Sequence, residues 1–153
     1  MADALAYCTF ELNDSLFGVE VLEVQEVIRH QRMTSVPLAH KVVSGLINLR
    51  GQIVTAIDLR RRLGLPERTD GKLPLNVVVR TDDGPVSLLV DEIGDVIEVD
   101  SATFEAPPET LEGVLRELVT GVYKLDGRLL QVLDVDRALR LPANGVALDR
   151  VTA

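Results

Sequence analysis

The sequence predicts an all-β fold: two five-stranded barrels packed together with pseudo-twofold symmetry, plus a few short helices. Three observations predict it. Short alternating or apolar runs recur along the chain with turn residues between them, and helical periodicity is confined to brief stretches. A segment near the middle is repeated near the end at an offset of half the chain length. Each half of 153 residues is barrel-sized and too small to bury much core alone, so the halves should pack on each other.

The elements follow in order. Tyr7–Leu12 alternates, Asn13-Asp14 supplies a turn, and Leu16–Val21 resumes the apolar run, which predicts a hairpin. Apolar residues at 21, 24, 27 and 28 predict a short helix over Val21–Ile28. Gly45–Leu49 and Gln52–Ile57 flank Arg50-Gly51 as a second hairpin, and Asp58 caps a helical turn over Leu59–Leu63 that ends at Gly64. Leu75–Arg80 and Val86–Val90 lie either side of Asp83-Gly84, and Val96–Val99 forms a further strand. Leu111, Val114, Leu115 and Leu118 predict a helix over Glu109–Leu118. Gly121–Leu125 and Arg128–Val135 close the series around Asp126-Gly127.

The repeat lays 43–66 over 119–142 without gaps. Nine of its pairs are identical, from Val43/Val119 and Gly45/Gly121 through Asp58/Asp134 to Pro66/Pro142, which is more than one unrelated pair of segments would share. Fainter echoes join Phe17-Gly18-Val19-Glu20 to Leu88-Leu89-Val90-Asp91, and Glu26-Val27-Ile28 to Asp95-Val96-Ile97. The whole of 1–153 reads as one domain with a first barrel over 6–68 and a second over 74–142. The junction falls at Pro66–Pro74, and the first or last strand is free to cross between barrels.

Composition narrows the function. A net charge of -8 repels polyanions unless cations gather on one face, and five aromatic residues are too few for a base-stacking platform. The dense basic run Arg60-Arg61-Arg62 reads as the solvated side of a short helix. No apolar run approaches membrane-span length, and Met1–Leu5 lacks the order of a secretion signal, so the chain is expected in the cytoplasm with no direct membrane insertion. Cys8 stands alone and reads as a small core residue. With only His30 and His40 beside it, neither a disulfide nor a zinc site is expected, and no cofactor is implied. No nucleophile-base pair and no phosphate-cradling glycine loop appears, so no catalytic residue is expected.

One turn breaks local rules. Asp126-Gly127 suits a two-residue hairpin turn, but the same places in the first half hold Arg50-Gly51. If the turns share geometry, a left-handed Arg50 costs on the order of 1 kcal/mol that Asp or Asn would largely avoid. Such departures gather at functional sites.

The residues also carry a resemblance. The run Ser44–Arg60, with Phe17-Gly18-Val19-Glu20 and Val24–Ile28 before it, resembles the chemotaxis coupling protein family, CheW. Val90-Asp91 with Gly94-Asp95-Val96, the Pro107-Pro108 loop, and Gly121 through Asp136 follow in that family's order over nearly the whole chain. The resemblance implies two SH3-like barrels and a non-enzymatic adaptor, at membrane-associated arrays, between the cytoplasmic tips of methyl-accepting chemoreceptors and the regulatory domain of a CheA-type histidine kinase. It implies receptor binding by Arg50, Glu26, Val24 and Val96, with Arg50 and Glu26 as a charged pair. It implies a docking surface at Gly45, Asn48, Pro107, Pro108 and Thr110, with Gly45 where a side chain would obstruct docking and the 107–110 loop as a second kinase contact. The chain departs from the family pattern at Leu38-Ala39-His40, where a second proline is common, and at Thr55-Ala56, where Val-Pro is common. Both bear on which receptor class is served, and on motility against another chemosensory output such as pilus control. The rival reading is an SH3-like peptide or nucleic-acid binding module, marked by a basic face on Arg50 and Arg60–Arg62. A monomer is expected outside arrays, because the adaptor surfaces are meant for unlike partners.

Overall fold

A computed structural model describes residues 4–140. Leu141 and Pro142, the last residues of the repeat and of the expected second barrel, lie outside the described residues, as do Met1–Asp3. The chain forms β1 (Ala4–Leu12), β2 (Ser15–Glu20), a 3-10 turn at Val21–Glu23, β3 (Val24–Ile28), β4 (Val43–Leu49), β5 (Gln52–Asp58) and α1 (Leu59–Arg62). There follow β6 (Leu75–Thr81), β7 (Gly84–Val90), β8 (Glu92–Asp100), a 3-10 turn at Ser101–Thr103, α2 (Gly113–Leu118), β9 (Val119–Leu125), β10 (Arg128–Leu133) and α3 (Val135–Ala138).

The strands sort into two five-stranded sheets, ordered β8-β1-β2-β10-β9 and β3-β6-β7-β5-β4. The orders correspond place for place, and each sheet has one parallel contact, β10 on β2 and β5 on β7. The two like barrels of the sequence reading are therefore present, but their membership is corrected. The division into 6–68 and 74–142 fails because hairpins are exchanged: β1-β2 joins the strands after residue 91, and β6-β7 joins β3, β4 and β5. Period-2 patterning fixes which face of a hairpin is buried and leaves open which sheet receives it.

Packing explains the exchange. Phe10, Leu12, Phe17 and Val19 from one sheet share a core with Ile57, Val77, Val79, Leu88 and Val90 from the other. The alternate residues face each sheet's own interior: Ile47, Val54, Ala56, Val78 and Leu89 in one, Tyr7, Leu16, Tyr123, Leu130 and Val132 in the other. The exchanged hairpins are thus buried on both faces, and they pin the barrels together.

Three local expectations are corrected. Val21–Ile28 is a single 3-10 turn followed by an edge strand, because β-branched Val24, Val27 and Ile28 suit a pleated edge and β6 offers backbone partners. The helix expected over Glu109–Leu118 starts only at Gly113. The strand expected to run to Val135 stops at Leu133, where Asp134 accepts the Arg137 N–H and starts α3. Asp58 caps α1 in the same way, as its spacing predicts.

Candidate functional site

β4 and β5 meet in register, Leu49 opposite Gln52, so Arg50-Gly51 is a two-residue turn. Arg50 has φ 52 and Gly51 φ 87, the left-handed pair of a type I′ turn, and Asn48 Oδ1 accepts the Gly51 N–H at 2.8 Å. In the matching hairpin only Gly127 has positive φ; Asp126 does not. The two turns therefore differ, and arginine occupies the left-handed place while the aspartate that would tolerate it is spared it.

Arg50 holds Glu26 with both terminal guanidinium nitrogens, Nη1 donating to Oε2 at 2.8 Å and Nη2 to Oε1. Glu26 lies on β3 and Arg50 follows β4, the two edges of one sheet, so the pair spans the seam where that barrel rolls up. The Glu26 side chain is 19% exposed and the Arg50 side chain 68%. An exposed pair of this kind contributes at most about 1 kcal/mol, so its main effect is orientation: a guanidinium fixed at the rim with most of its surface free. Exposed Val27 follows Glu26 on β3, and exposed Ile53 lies opposite Asn48 on β5.

The remaining predicted residues divide. Val24, two residues before Glu26 on β3, is half-buried and packs on the shared core. Val96 is exposed and sits on β8, opposite Cys8 in the other sheet, at the place that Val27 holds on β3. Pro107 and Pro108 are half-buried and Thr110 is exposed, on the connection between the Glu105–Val122 bridge and α2. The Pro108 carbonyl accepts from Leu111 N and Arg116 Nη1, which fixes the loop.

Gly45 receives a different explanation from the one its motif implies. It is buried, and a Cβ there would stand 2.7 Å from the Thr34 carbonyl oxygen and 3.1 Å from Met33 Cβ. The chain's own crossing segment fills the space. Thr34 and Leu46 exchange both backbone hydrogen bonds at 2.8 Å across it. Gly121 makes room for Glu105 in the other barrel in the same way.

Arg60–Arg62 is corrected as well. Arg60 is largely buried and, with Arg68, grips the Asp91 carboxylate, while Asn13 N–H donates to it at 2.9 Å. Burial pushes the Asp91 carboxyl up, and these three donors overcome it, holding the group down to about 2. Arg62 donates to the carbonyls of Arg137, Ala138 and Arg140 and so caps the end of α3. Only Arg61 is spent at the surface, on Glu67. Asp91, Arg68 and Arg62 carry no local sequence signal, since their partners lie 23 to 78 residues away. A polar cleft of about 240 Å³ opens beside Asp91, and its arginines are already committed to that carboxylate. Among the described residues no three His, Cys, Asp or Glu side chains gather to hold a metal, and no helix is long and apolar enough to cross a membrane.

With this geometry in place, comparison with known proteins gives one family. A family model described as CheW-like domain matches residues 6–143. A chemotaxis protein CheW of Bacillus subtilis is 32% identical over 130 residues, covering 85% of this chain and 83% of its own length. One from Treponema pallidum is 31% identical over 133 residues, covering 84% and 78%. The crystal structure of the scaffolding protein TtCheW from Thermoanaerobacter tengcongensis superposes with a TM-score of 0.81 at 26% identity, covering 95% of this chain and 98% of that one.

Proposed function

The chain belongs to the CheW-like domain family of chemotaxis scaffolding adaptors, and from that premise we propose that it couples chemoreceptor cytoplasmic tips to the regulatory domain of a CheA-type histidine kinase. The observation that carries this reading is the Glu26–Arg50 clasp, a left-handed arginine fixed across the seam of one barrel and presented to solvent. A turn that accepts backbone cost in order to orient an exposed cation is better explained by recognition than by stability, because the exposed pair at most cancels that cost and leaves no net gain.

In this reading Arg50, Glu26 and Asn48 form the receptor-facing rim, with Val27 and Ile53 as its apolar border. A helical receptor tip laid along the rim would set its own apolar and charged stripes against these groups. Val96 adds to the contact from the second barrel, and Val24 shapes the strand that carries Glu26 rather than touching the partner. The Pro107–Thr110 loop, on the second barrel, faces the kinase. The barrels are pinned through a shared core and through the Asp91 and Arg62 contacts, so two partners held at these places would keep a fixed relation to each other. No covalent chemistry is needed for coupling of this kind.

The test is calorimetric titration of the chain with the CheA-type regulatory domain of the same organism, followed by kinase assay in membranes carrying the receptor. One-to-one binding, with kinase control restored by the natural chain and lost with Arg50→Ala, is the expected result. Binding to neither partner by a folded chain would overturn the reading.

A further inference from the structure

Charge is distributed very unevenly along this acidic chain. Between Glu26 and Asp58 there is no acidic residue at all, while Arg29, Arg32, Lys41 and Arg50 all fall in that interval. Elsewhere the described cations are mostly matched: Arg60, Arg61, Arg68, Arg128, Arg137, Lys72 and Lys124 each have a carboxylate within 4 Å. Among the described residues Arg29, Arg32 and Lys41 are exposed and none has such a partner.

The segment that carries them is anchored at three points. Buried Asn76, itself bonded to Ser87, donates to the Arg29 carbonyl at 2.9 Å, and His30 meets the Pro74 carbonyl. Thr34 pairs with Leu46 in the middle, and His40 accepts the Val42 N–H at the end. Thr34–Leu46 is an isolated antiparallel bridge, so the chain direction at that point carries Arg32 toward the Asn48–Arg50 end of β4. Arg32 therefore lies on the Arg50 side of that bridge, on an anchored segment.

We infer that the 29–41 segment is an electrostatic docking strip, continuous with Arg50, for the acidic face of a helical protein partner, with Arg32 as its chief determinant. The inference rests on the receptor-coupling reading and deepens it by naming the partner's charge. Complementarity selects an acidic protein over a nucleic acid: the strip offers only a few cations, has no aromatic residue between Glu26 and Asp58, and belongs to a chain of net charge -8. Unpaired cations on a rim act mainly by speeding encounter and rejecting wrong orientations.

The experiment measures association of the natural chain, Arg32→Glu, Arg32→Gln, Arg50→Ala and the control Lys124→Glu with a receptor cytoplasmic-tip fragment and with the kinase regulatory domain, at low and high salt. Thermal melts confirm that each variant is folded. The expected result is salt-sensitive binding of the receptor fragment, weakened about tenfold by Arg32→Glu, less by Arg32→Gln, and unchanged by Lys124→Glu. If Arg50→Ala weakens receptor binding while both Arg32 variants stay within twofold of the natural chain, the strip is overturned and receptor coupling stands. If the receptor fragment does not bind but the kinase domain does, receptor coupling fails and the strip, argued for a helical receptor tip, is overturned with it. Binding of neither, or binding indifferent to salt, overturns the strip.

Discussion

The Thr34 carbonyl oxygen stands 2.7 Å from the point that a Cβ on Gly45 would occupy. The bridge between Thr34 and Leu46 needs that closeness, and it brings the charged 29–41 segment against β4. Gly121 and Glu105 repeat the arrangement in the other barrel, with 2.5 Å between the virtual Cβ and the oxygen.

Gly45→Ala should therefore destabilise the fold by about 2 kcal/mol or more, since backbone must move to admit one methyl group. Gly121→Ala should do the same. Chemical denaturation of both variants checks this; a Gly45→Ala chain as stable as the natural one but unable to bind its partners would return Gly45 to the docking surface.

Arg50→Asn should leave stability within about 1 kcal/mol of the natural chain. Asn tolerates the left-handed place, which offsets the loss of an exposed ion pair to Glu26. Receptor binding should fall while the thermal midpoint holds. A large drop in midpoint would mark Arg50 as a structural closure of the barrel seam.

Thr55 is wholly buried on β5 and its hydroxyl has no hydrogen-bond partner among the described residues. Thr55→Val keeps the branched shape and removes the unsatisfied group, so it should stabilise the chain by about 1 kcal/mol. Urea midpoints of the two chains measure the difference directly, and a destabilised variant would show that the hydroxyl finds a partner in solution.

Asp91 gives the fold an acid limit. Its carboxyl titrates lower in the folded chain than in the unfolded one, so its contribution is complete above the ordinary aspartate value near 4 and is lost as pH falls toward about 2. Asp91→Asn should lose about 2 to 3 kcal/mol at neutral pH, because Arg60 and Arg68 keep their burial without their carboxylate. Its stability should then vary less between pH 4 and 2 than that of the natural chain, which paired melts across that range will show.

Much of this was legible in the residues. The repeat at 43–66 and 119–142 marks β4, β5 and α1 against β9, β10 and α3, and the echo of Glu26-Val27-Ile28 in Asp95-Val96-Ile97 marks equivalent edge strands with bulges at the same place. The exchange of hairpins was not legible, because Phe10 and Phe17 alternate identically whichever sheet receives them. Arg50 announced itself by breaking a turn rule, and its pairing with Glu26 came through the family resemblance. The room Gly45 leaves for Thr34 and the cap Arg62 puts on α3 were not legible, because both neighbours are set by tertiary contact and nothing beside either residue in the sequence records them.

The exchanged hairpins also set an order of assembly during synthesis. The barrel of β3, β4, β5, β6 and β7 has all its strands once Val90 has left the ribosome. The hairpin of β1 and β2 is made first and completed last, since Leu16 must wait for Leu130. In the interval Phe10, Leu12, Phe17 and Val19 need cover, and the face they belong to is the one that meets the finished barrel. The earliest strands can therefore dock on their neighbour before their own sheet exists, which shelters an aggregation-prone edge through the slowest part of a fold rich in long-range pairings.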